Sequence, residues 1–477
     1  MSLARNTLSS LAAALLASGC TVIGPDYAAP DRAALASGAF INSSGYDAGE
    51  PLALWWTLFN DETLSGLVAG GLAKNRSLGA ALANVNAARA RRGLARLNRL
   101  PTDTVGGSYL QSRQGSAVFG ASTGLGSTGP FPTNDISDVN ISAAWEVDLF
   151  GRVTRTINIA KADLGQSQAL LADLQAVIAA DIVDAYVNLR GLQDQVAVAR
   201  RNIENQAAIL KLTEVIRDAG RGTDLDVELA KAQLANVRAG VPALEGEIAN
   251  VTFALGVLTG RTPSEIIASV ASPAPLPAIA GPIAIGDPAS LLRRRPDIAA
   301  RERALASATE SIGLNIAEAF PRIDLIGQGG YQAIGFQNQF SVNALNFSAG
   351  PSISWSLTNL VRARQRVTAA RASAEAAFND YEGAILSALA ETESAFATQA
   401  RAQEQLVELA EAERASAEAA KLARLRFENG ATDFLSVLDA DRRDIEAADR
   451  LAAARTATAR TQIAVFRALR AGPWAYQ

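Results

Sequence analysis

The chain of 477 residues contains no histidine and a single cysteine, Cys20. The absence of histidine removes the side chain that most often acts as a general base or metal ligand near neutral pH. A single cysteine excludes an intrachain disulfide and a cysteine-based metal site. The sequence also contains no nucleophile motif or phosphate-binding loop in a convincing context. We therefore expect no enzyme and no metal site.

Long hydrophobic runs and an excess of positive charge are also missing. After the first twenty residues no apolar stretch approaches the roughly 18 residues of a membrane-spanning helix. The 44 Lys and Arg residues are outnumbered by 48 Asp and Glu residues, and the formal net charge is −4. This mild acidity does not suggest a nucleic-acid partner. If the mature chain crosses a membrane, we expect it to do so as β-strands.

The N-terminus has the pattern of an export signal. An apolar stretch at 8–17 follows a basic residue, and small residues then lead to Cys20. The run Leu16–Cys20 is similar to a bacterial lipobox, in which cleavage makes the cysteine residue one and the cysteine is acylated. A plain secretory signal that happens to contain a cysteine is the alternative. We assign residues 1–19 to a signal peptide and expect no cofactor other than a covalent lipid on Cys20, with Thr21 favouring the outer membrane.

The sequence repeats itself after about two hundred residues, which indicates a tandem duplication. A shift of 210 aligns Trp145 with Trp355, Arg152 with Arg362, Gly220 with Gly430, Leu225 with Leu435 and Val227 with Val437. A shift of 220 aligns Gly93 with Gly313 and Leu100–Pro101 with Phe320–Pro321. Because these landmarks are far apart and keep their order, each copy must contain the same succession of elements.

Each copy contains two stretches that alternate between apolar and polar residues. The clearer ones span 137–150 and 346–358, and glycine-rich partners precede them at 103–113 and 322–334. A period of two over about eleven residues is the length of a tilted transmembrane strand. A half-buried soluble sheet alternates in the same way and is the alternative. Four strands cannot close a barrel around a lumen, and lipid does not tolerate an open sheet edge, so several chains would share one barrel.

Long proline-free stretches with a coiled-coil spacing follow the strands. They run from 154 to 218 and from 362 to 428, and at 1.5 Å per residue each would form a helix of about 100 Å. Each ends at a glycine turn that reverses the chain into another helix. The turns contain Gly220 and Gly222 in the first copy and Gly430 and Asp433 in the second. Further helices are predicted at 58–100, 224–259, 289–319 and 433–469.

With these features the chain resembles the TolC-like outer membrane factors, in the lipoprotein branch that serves tripartite efflux pumps. The resemblance covers essentially the entire mature chain. Its motifs are individually weak, but their order and spacing are specific. They are Gly24–Tyr27, Trp55–Trp56 with Phe59, Trp145–Arg152, Leu291–Ile298, Phe320–Pro321 and Val437–Ala440. The segment 469–474 departs from the glycine-rich run that relatives usually show before the last tryptophan.

The resemblance implies a mixed fold class, all-α with membrane β. Long helical-barrel rods of coiled-coil type would be combined with four transmembrane β-strands per chain. Three chains would form a homotrimer that closes a twelve-stranded β-barrel in the outer membrane and continues as a helical barrel through the periplasm. The implied partners are a periplasmic adaptor, or membrane fusion protein, an inner-membrane RND-type pump and outer membrane lipid.

The resemblance also implies where the duct closes. Its pore constriction would fall on Leu435, Asp439 and Arg442, with Leu435 as a hydrophobic gate and Asp439 pairing with Arg442 across protomers. From the residues alone, Asp439 and Arg442 are equally well an ordinary i,i+3 surface pair. The adaptor-docking tips would be the two glycine turns, because exposed loops carried on rigid rods suit end-on recognition.

The expected domain organisation follows from the repeats. Beyond the signal peptide it comprises a lipidated extended segment at 20–54, a first repeat at 55–262, a linker at 263–288, a second repeat at 289–472 and a tail at 473–477. The predicted function is the outer membrane exit duct of a drug or solute efflux system, a passive channel gated at its periplasmic tip. A periplasmic coiled-coil adaptor lipoprotein and a lipid-anchored hydrolase are alternatives. The adaptor predicts one helical hairpin rather than two copies, and the hydrolase lacks a nucleophile–base constellation.

Overall fold

The structure of the protein is a computed structural model that describes residues 22–30, 36, 38–113, 133–279, 281–356 and 358–474. The signal peptide, Cys20 and Thr21 lie outside these residues, as does the segment 114–132 that joins the first two strands. The chain's helices and strands follow one another in the same order in both copies of the repeat.

The first copy contains a 3₁₀ turn at Trp55–Phe59, α1 (Glu62–Lys74), α2 (Arg76–Leu97), β1 (Thr102–Arg113), β2 (Thr133–Glu146), α3 (Arg152–Asp218) and α4 (Asp224–Thr259). Between the copies lies α5 (Pro263–Val270), and the second copy contains α6 (Pro288–Arg294), α7 (Pro296–Ala317), β3 (Arg322–Ile334), β4 (Leu345–Ser354), α8 (Asn359–Glu428) and α9 (Phe434–Ala468). Two antiparallel strands therefore precede one very long helix and one shorter helix in each copy.

Two predicted helices are each divided in two. The helix predicted at 58–100 is broken at Asn75, whose side-chain oxygen accepts the Leu78 amide at 3.1 Å and starts a second helix. The helix predicted at 289–319 is broken at Arg295, which has an extended backbone before Pro296. Proline disfavours the helical conformation of the residue that precedes it, which gives the physical reason for this break.

The segment 263–288, predicted as a linker, contains the short helix α5. Pro263 occupies the first turn, where its missing N–H costs nothing. The Glu265 carboxylate accepts the Thr262 amide at 2.8 Å, which completes a capping box. Proline at 263 therefore starts a short helix within the predicted linker.

The helix α4 has the predicted bounds, 224–259, but its composition is more apolar than the sequence analysis indicates. Among the described residues it is the one helix long and apolar enough, by length and composition, to cross a membrane. Only 17% of its most apolar window is buried. Glu245 and Glu247 interrupt the apolar run, so the helix contains no uninterrupted apolar stretch of membrane-spanning length. Length and composition alone do not assign α4 to a membrane.

The contacts of the chain define two compact units, and each draws on both repeats. The sheet unit consists of Met1–Ala29, Asn86–Gln166 and Glu302–Asp380. The helical unit consists of Pro30–Val85, Ser167–Arg301 and Tyr381–Gln477. The compact units are therefore not the repeats, because the duplicated copies pack against each other and each long helix contributes to both units.

An aromatic stack forms the centre of the helical unit. Trp55 is 1% exposed, and its ring lies parallel to that of Phe466 with centroids 4.6 Å apart. Leu64, Ile182 and Leu255 belong to the same core and are fully buried. Burying large aromatic side chains removes the most apolar area per residue from water, so this cluster contributes strongly to the stability of the unit.

Small residues allow the helices of this unit to approach closely. A Cβ atom on Gly191 of α3 would lie 2.2 Å from the Thr456 hydroxyl of α9. The same two helices are joined by the ion pairs of Arg460 with Asp184 at 2.8 Å and of Arg467 with Asp181, and Arg470, two residues beyond α9, pairs with Asp173 of α3 at 2.8 Å. The pairs recur along both helices and so set the register between them.

Candidate functional site

The four strands form one antiparallel sheet in the order β1–β2–β3–β4. The bounds of β3 are those predicted, 322–334, whereas β2 occupies 133–146 in place of 137–150 and β4 ends at 354 in place of 358. The shift of β2 has a local cause. Asp148 accepts the amides of Val153 at 2.9 Å and Thr154 at 2.8 Å, so it caps α3 and the chain has already left the strand.

The strand register separates the sheet into two chemically different faces. Residues with odd numbers in one strand lie opposite odd-numbered residues in the next, as in the pairs Val139 with Tyr331 and Trp145 with Leu325. The odd-numbered face includes Val105, Tyr109, Val139, Ile141, Trp145, Leu325, Tyr331, Phe347, Pro351 and Ile353. The even-numbered face includes Thr104, Ser108, Asp138, Asn140, Ser142, Gln328, Gln332, Ser348 and Ser352. Apart from exceptions such as Leu110 and Ile326 on the even-numbered face and Asp135 on the odd-numbered face, one face is mainly apolar and the other mainly polar, which is the pattern of a membrane barrel wall with a wet interior.

Two tryptophans at duplicated positions anchor the sheet to the helices. The Trp145 indole N–H donates to the Arg99 carbonyl at 2.9 Å, and the Trp355 indole N–H donates to the Ala319 carbonyl at 3.1 Å. Each accepting carbonyl lies just beyond a helix, α2 or α7, and two residues before a proline. The tryptophans thus keep an apolar ring on the odd-numbered face while they satisfy a carbonyl at a helix end.

A charged cluster lies where the strands meet the helices of the sheet unit. Glu146, the last residue of β2, accepts a hydrogen bond from Arg152 Nε at 2.7 Å and lies 3.3 Å from Arg322 Nε. Arg322 also contacts Asp324 at 2.9 Å. Glu146, Arg152 and Arg322 border a cavity of about 290 Å³. Since both signs of charge are paired within the cluster, it stabilises the junction.

The two glycine turns predicted as tips have the same geometry. Gly220 has φ +75° and donates to the Arg217 carbonyl at 2.8 Å; Gly430 has φ +72° and donates to the Phe427 carbonyl at 2.9 Å. Left-handed backbone of this kind is the usual reason for glycine after a helix. Beyond the second turn, the Asp433 carboxylate accepts the Ser436 amide at 3.0 Å and caps α9. Gly222 lies in the first turn, where an added Cβ would lie 3.2 Å from the Arg217 backbone nitrogen.

The predicted constriction residues lie together on α9, and within one chain Asp439 does not form the i,i+3 surface pair with Arg442 that was the alternative to a gate. Leu435 is 57% exposed. Asp439 pairs with Arg443 at 2.9 Å, one residue beyond the expected Arg442. Arg442 instead directs Nε toward the Gln233 side chain of α4 at 3.4 Å. On a helix, side chains four residues apart are closer in angle than side chains three residues apart. Arg443 therefore pairs with the Asp439 carboxylate, and Arg442 does not.

A buried ion pair near this tip was missed by the sequence analysis. Asp441 is 1% exposed, and Arg424 of α8 lies 2.8 Å from its carboxylate. Burial raises the pKa of the Asp441 carboxyl, and the Arg424 charge opposes that shift. The duplication carried a signal, because a shift of 210 places Glu214 and Lys231, a pair with reversed charges, at the positions of Arg424 and Asp441.

The site residue Cys20 lies outside the described residues, so its lipidation stays a prediction. Among the residues that the structure describes, no group of three or more metal-ligating side chains comes together. The remaining predicted site residues form two groups within the helical unit, one at each glycine turn, with the constriction residues directly after the second turn.

Matches to known proteins agree with this geometry. The family model described as outer membrane efflux protein matches residues 69–261 and 288–470. Nodulation protein T of Rhizobium leguminosarum bv. viciae is 30% identical over 465 residues, covering 96% of this chain and 92% of that protein. The outer-membrane channel OprN has 39% sequence identity and a TM-score of 0.88 over 95% of this chain and 99% of that one. The open state of the Neisseria gonorrhoeae MtrE outer membrane channel has 25% identity and a TM-score of 0.79 over 95% and 98%.

The chain belongs to the family of outer membrane efflux proteins, whose model matches both repeats. It is an outer membrane channel that extends into the periplasm and acts as an exit duct of an efflux system, with the fold of the TolC-like channels. These matches to outer membrane channels favour the exit duct over the periplasmic adaptor. The described residues agree, because they form two long helical hairpins, α3–α4 and α8–α9, where an adaptor predicts one.

The two faces of the sheet predict opposite responses to an added charge. Ile141→Arg places a guanidinium on the apolar face within β2 and should cost about 2–4 kcal/mol if that face contacts lipid. Ser142→Arg, its neighbour on the polar face, should cost little. The amount of assembled protein in isolated outer membranes should fall sharply for Ile141→Arg alone. Equal loss for the two variants would contradict a lipid-facing odd register.

The pair Arg424–Asp441 predicts a local loss of stability near the tip. Arg424→Ala leaves the buried Asp441 carboxylate without its partner, and breaking a buried pair in this way costs about 3 kcal/mol. Deuterium uptake should rise in the last turns of α8 and the first turns of α9. Arg401→Ala breaks an exposed i,i+3 pair with Glu404 on the same helix and should change uptake little. Similar effects of both changes would show that burial of Asp441 is unimportant.

Proposed function

We propose that three copies of the chain assemble into one duct, with the four strands of each copy contributing to a single twelve-stranded barrel. The observation that carries this proposal is the open sheet. In the described part of the chain β1 and β4 each pair with one strand only, so each has a free edge. Lipid contains no water to satisfy the N–H and C=O groups of such an edge. Pairing β1 of one copy with β4 of the next removes every edge at once.

The chemistry of the two faces supports the same arrangement. A closed barrel places the face with Val139 and Ile141 against lipid and the face with Asn140 and Gln328 around a water-filled lumen. Polar substrates can then cross the outer membrane without meeting hydrocarbon. The conduction is passive, because the chain supplies a lined passage and the inner-membrane RND-type pump supplies the energy. No catalytic step belongs to this function.

The periplasmic end of the duct is its gate in this proposal. Leu435, Asp439 and Arg442 follow the second glycine turn on one stripe of α9. Threefold symmetry would repeat them around the pore axis. Within a chain Asp439 is held by Arg443, and the pair is exposed, with 63% of the Asp439 side chain accessible. It is thus available to face its copies in the neighbouring protomers.

The same end would receive the periplasmic adaptor. Gly220 and Gly430 lie at the reversals of the two long helical hairpins, and nothing within 4 Å would meet a Cβ atom added to Gly220. Exposed turns on rigid helices suit recognition by the end of a partner's helical hairpin. Gly222 and Asp433 complete the two docking tips. At the opposite end of the chain, acylation of Cys20 would add a lipid anchor in the outer membrane.

The gate predicts a change in conductance when the acidic ring is removed. Asp439→Ala should raise the single-channel conductance of purified trimers in planar bilayers, because the remaining cations at the constriction repel one another. Glu446→Ala provides a matched control, since it breaks another exposed i,i+4 pair of α9, with Arg450. Trimers that conduct identically in both variants would place the constriction elsewhere. Failure to form trimers or channels in the wild-type chain would contradict the duct itself.

The docking tips predict a loss of adaptor binding without a loss of assembly. Asparagine tolerates left-handed backbone, so Gly220→Asn and Gly430→Asn should keep the turns and add a side chain at each tip. Site-specific crosslinking to the adaptor should fall, and the amount of outer membrane trimer should not. Gly45→Asn is the control, because Gly45 has φ +87° and open space but lies away from the tips. Unchanged crosslinking would reduce the glycines to ordinary turns.

A further inference from the structure

The first residues that the structure describes lie against the helices of the sheet unit. We call residues 22–27 the strap. At its start, Val22 packs on Gly151: a Cβ atom on Gly151 would lie only 2.7 Å from Val22 Cγ1. The next residue, Ile23, donates its amide to the Phe150 carbonyl at 3.4 Å. The strap therefore touches the short connection between β2 and α3, where the sheet ends.

A buried arginine holds the middle of the strap. The Arg155 side chain of α3 is 1% exposed. Its guanidinium donates to the carbonyls of Ile23 and Gly24, each at 3.2 Å, and to the Asp26 carboxylate at 3.0 Å. On its other side it donates to Glu310 of α7 at 2.8 Å. Arginine carries five N–H donors in a fixed plane, and here the strap accepts hydrogen bonds from most of the donors that do not bond to Glu310.

Two glycines make the close contact possible. Gly24 has φ +99°, and a Cβ atom on it would lie 2.6 Å from the Gly313 Cα of α7. A Cβ atom on Gly313 would lie 2.5 Å from Arg155 Nε. The end of the strap is held as well, because the Tyr27 hydroxyl donates to Glu302 at 2.9 Å. Strap, α3 and α7 thus meet at van der Waals distance with no room for an added methyl group.

The contact site of the strap on α3 and α7 is not duplicated, although the repeats are. A shift of 210 places Gln365 at the position of Arg155. A shift of 220 places Gly93 at the position of Gly313, and nothing within 4 Å would meet a Cβ atom added to Gly93. A contact site that occurs at one of two equivalent positions is not a by-product of how the repeat folds. Its distinguishing residue is the arginine that the strap requires.

We propose that the groove between α3 and α7 is a binding site for the chain's own mature N-terminal segment, with Arg155 as the positioning residue. The groove fixes the N-terminus at the junction of sheet and helices by protein contacts alone. One consequence of this proposal, the position of the lipid, rests on the proposed acylation of Cys20. Cys20 lies two residues before Val22, and two residues span at most about 7 Å. The lipid would therefore enter the membrane beside the barrel rim of its own protomer.

The test measures deuterium uptake of the strap in detergent-solubilised trimers. Arg155→Met removes the donors, and Gly313→Ala displaces Arg155 through its new methyl group. Both should raise the exchange rate of the strap amides by about tenfold or more, the signature of local opening. Gly93→Ala is the matched control, the same change at the equivalent helix position of the other repeat, and should leave exchange unchanged. Cys20→Ser should also leave the strap protected.

Unchanged strap exchange in Arg155→Met and Gly313→Ala would overturn the proposal. So would release of the strap by Cys20→Ser alone, because the lipid rather than the groove would then hold it. If both groove variants failed to assemble, Asp26→Asn would decide, since Asp26 is 88% exposed and its loss should still raise exchange two- to threefold or more if Arg155 binds it. The mass of the wild-type N-terminus tests lipidation separately: an unmodified Cys20 would end the lipid proposal and leave the groove standing.

Discussion

Every backbone N–H and C=O group of a sheet in lipid must find a partner in the protein, because hydrocarbon offers none. Most of the architecture follows from this requirement. The described part of each chain provides four strands and two free edges, so it is a fraction of a barrel and the duct has to be an assembly. The strict separation of apolar Val139 and Ile141 from polar Asn140 and Ser142 follows from the same environment, since one face of a closed wall meets lipid and the other meets water.

The change from sheet to helix is the second constraint, and the sheet unit meets it with few residues. Asp148 ends the strand by capping α3, and Glu146 pairs with the arginines beside it. The duplicated indoles of Trp145 and Trp355 satisfy carbonyls at the ends of α2 and α7. These contacts involve Trp145, Glu146, Asp148 and Arg152, so they give a physical reason for four of the eight residues in the run 145–152.

The duplication provided two copies of each structural feature, and some of these copies have since diverged. The glycine turns remained equivalent, with the same left-handed glycine and the same helix-ending hydrogen bonds. Arg155 has Gln365 as its counterpart, and only the arginine holds the N-terminal segment. The Arg424–Asp441 pair has Glu214 and Lys231 as its counterpart; there Lys231 pairs with Glu228 on its own helix. In the first copy, Lys231 therefore pairs within α4 and not with the long helix that precedes it.

Local chemistry determined much of this protein. Period-two alternation located β2 and β4 to within four residues at each end, and proline-free coiled-coil spacing located α3 and α8, because regular secondary structure repeats its period in the sequence. The sequence also determined the glycine turns, the duplication and the family. The Asp439–Arg443 pair and the helix breaks at Asn75 and Arg295 are local features of neighbouring residues. Tertiary structure decided the partners of Arg155 and Arg442 and the burial of Asp441. Each of these depends on which side chains from distant parts of the chain arrive at the same place, and spacing along one helix or strand contains no record of that.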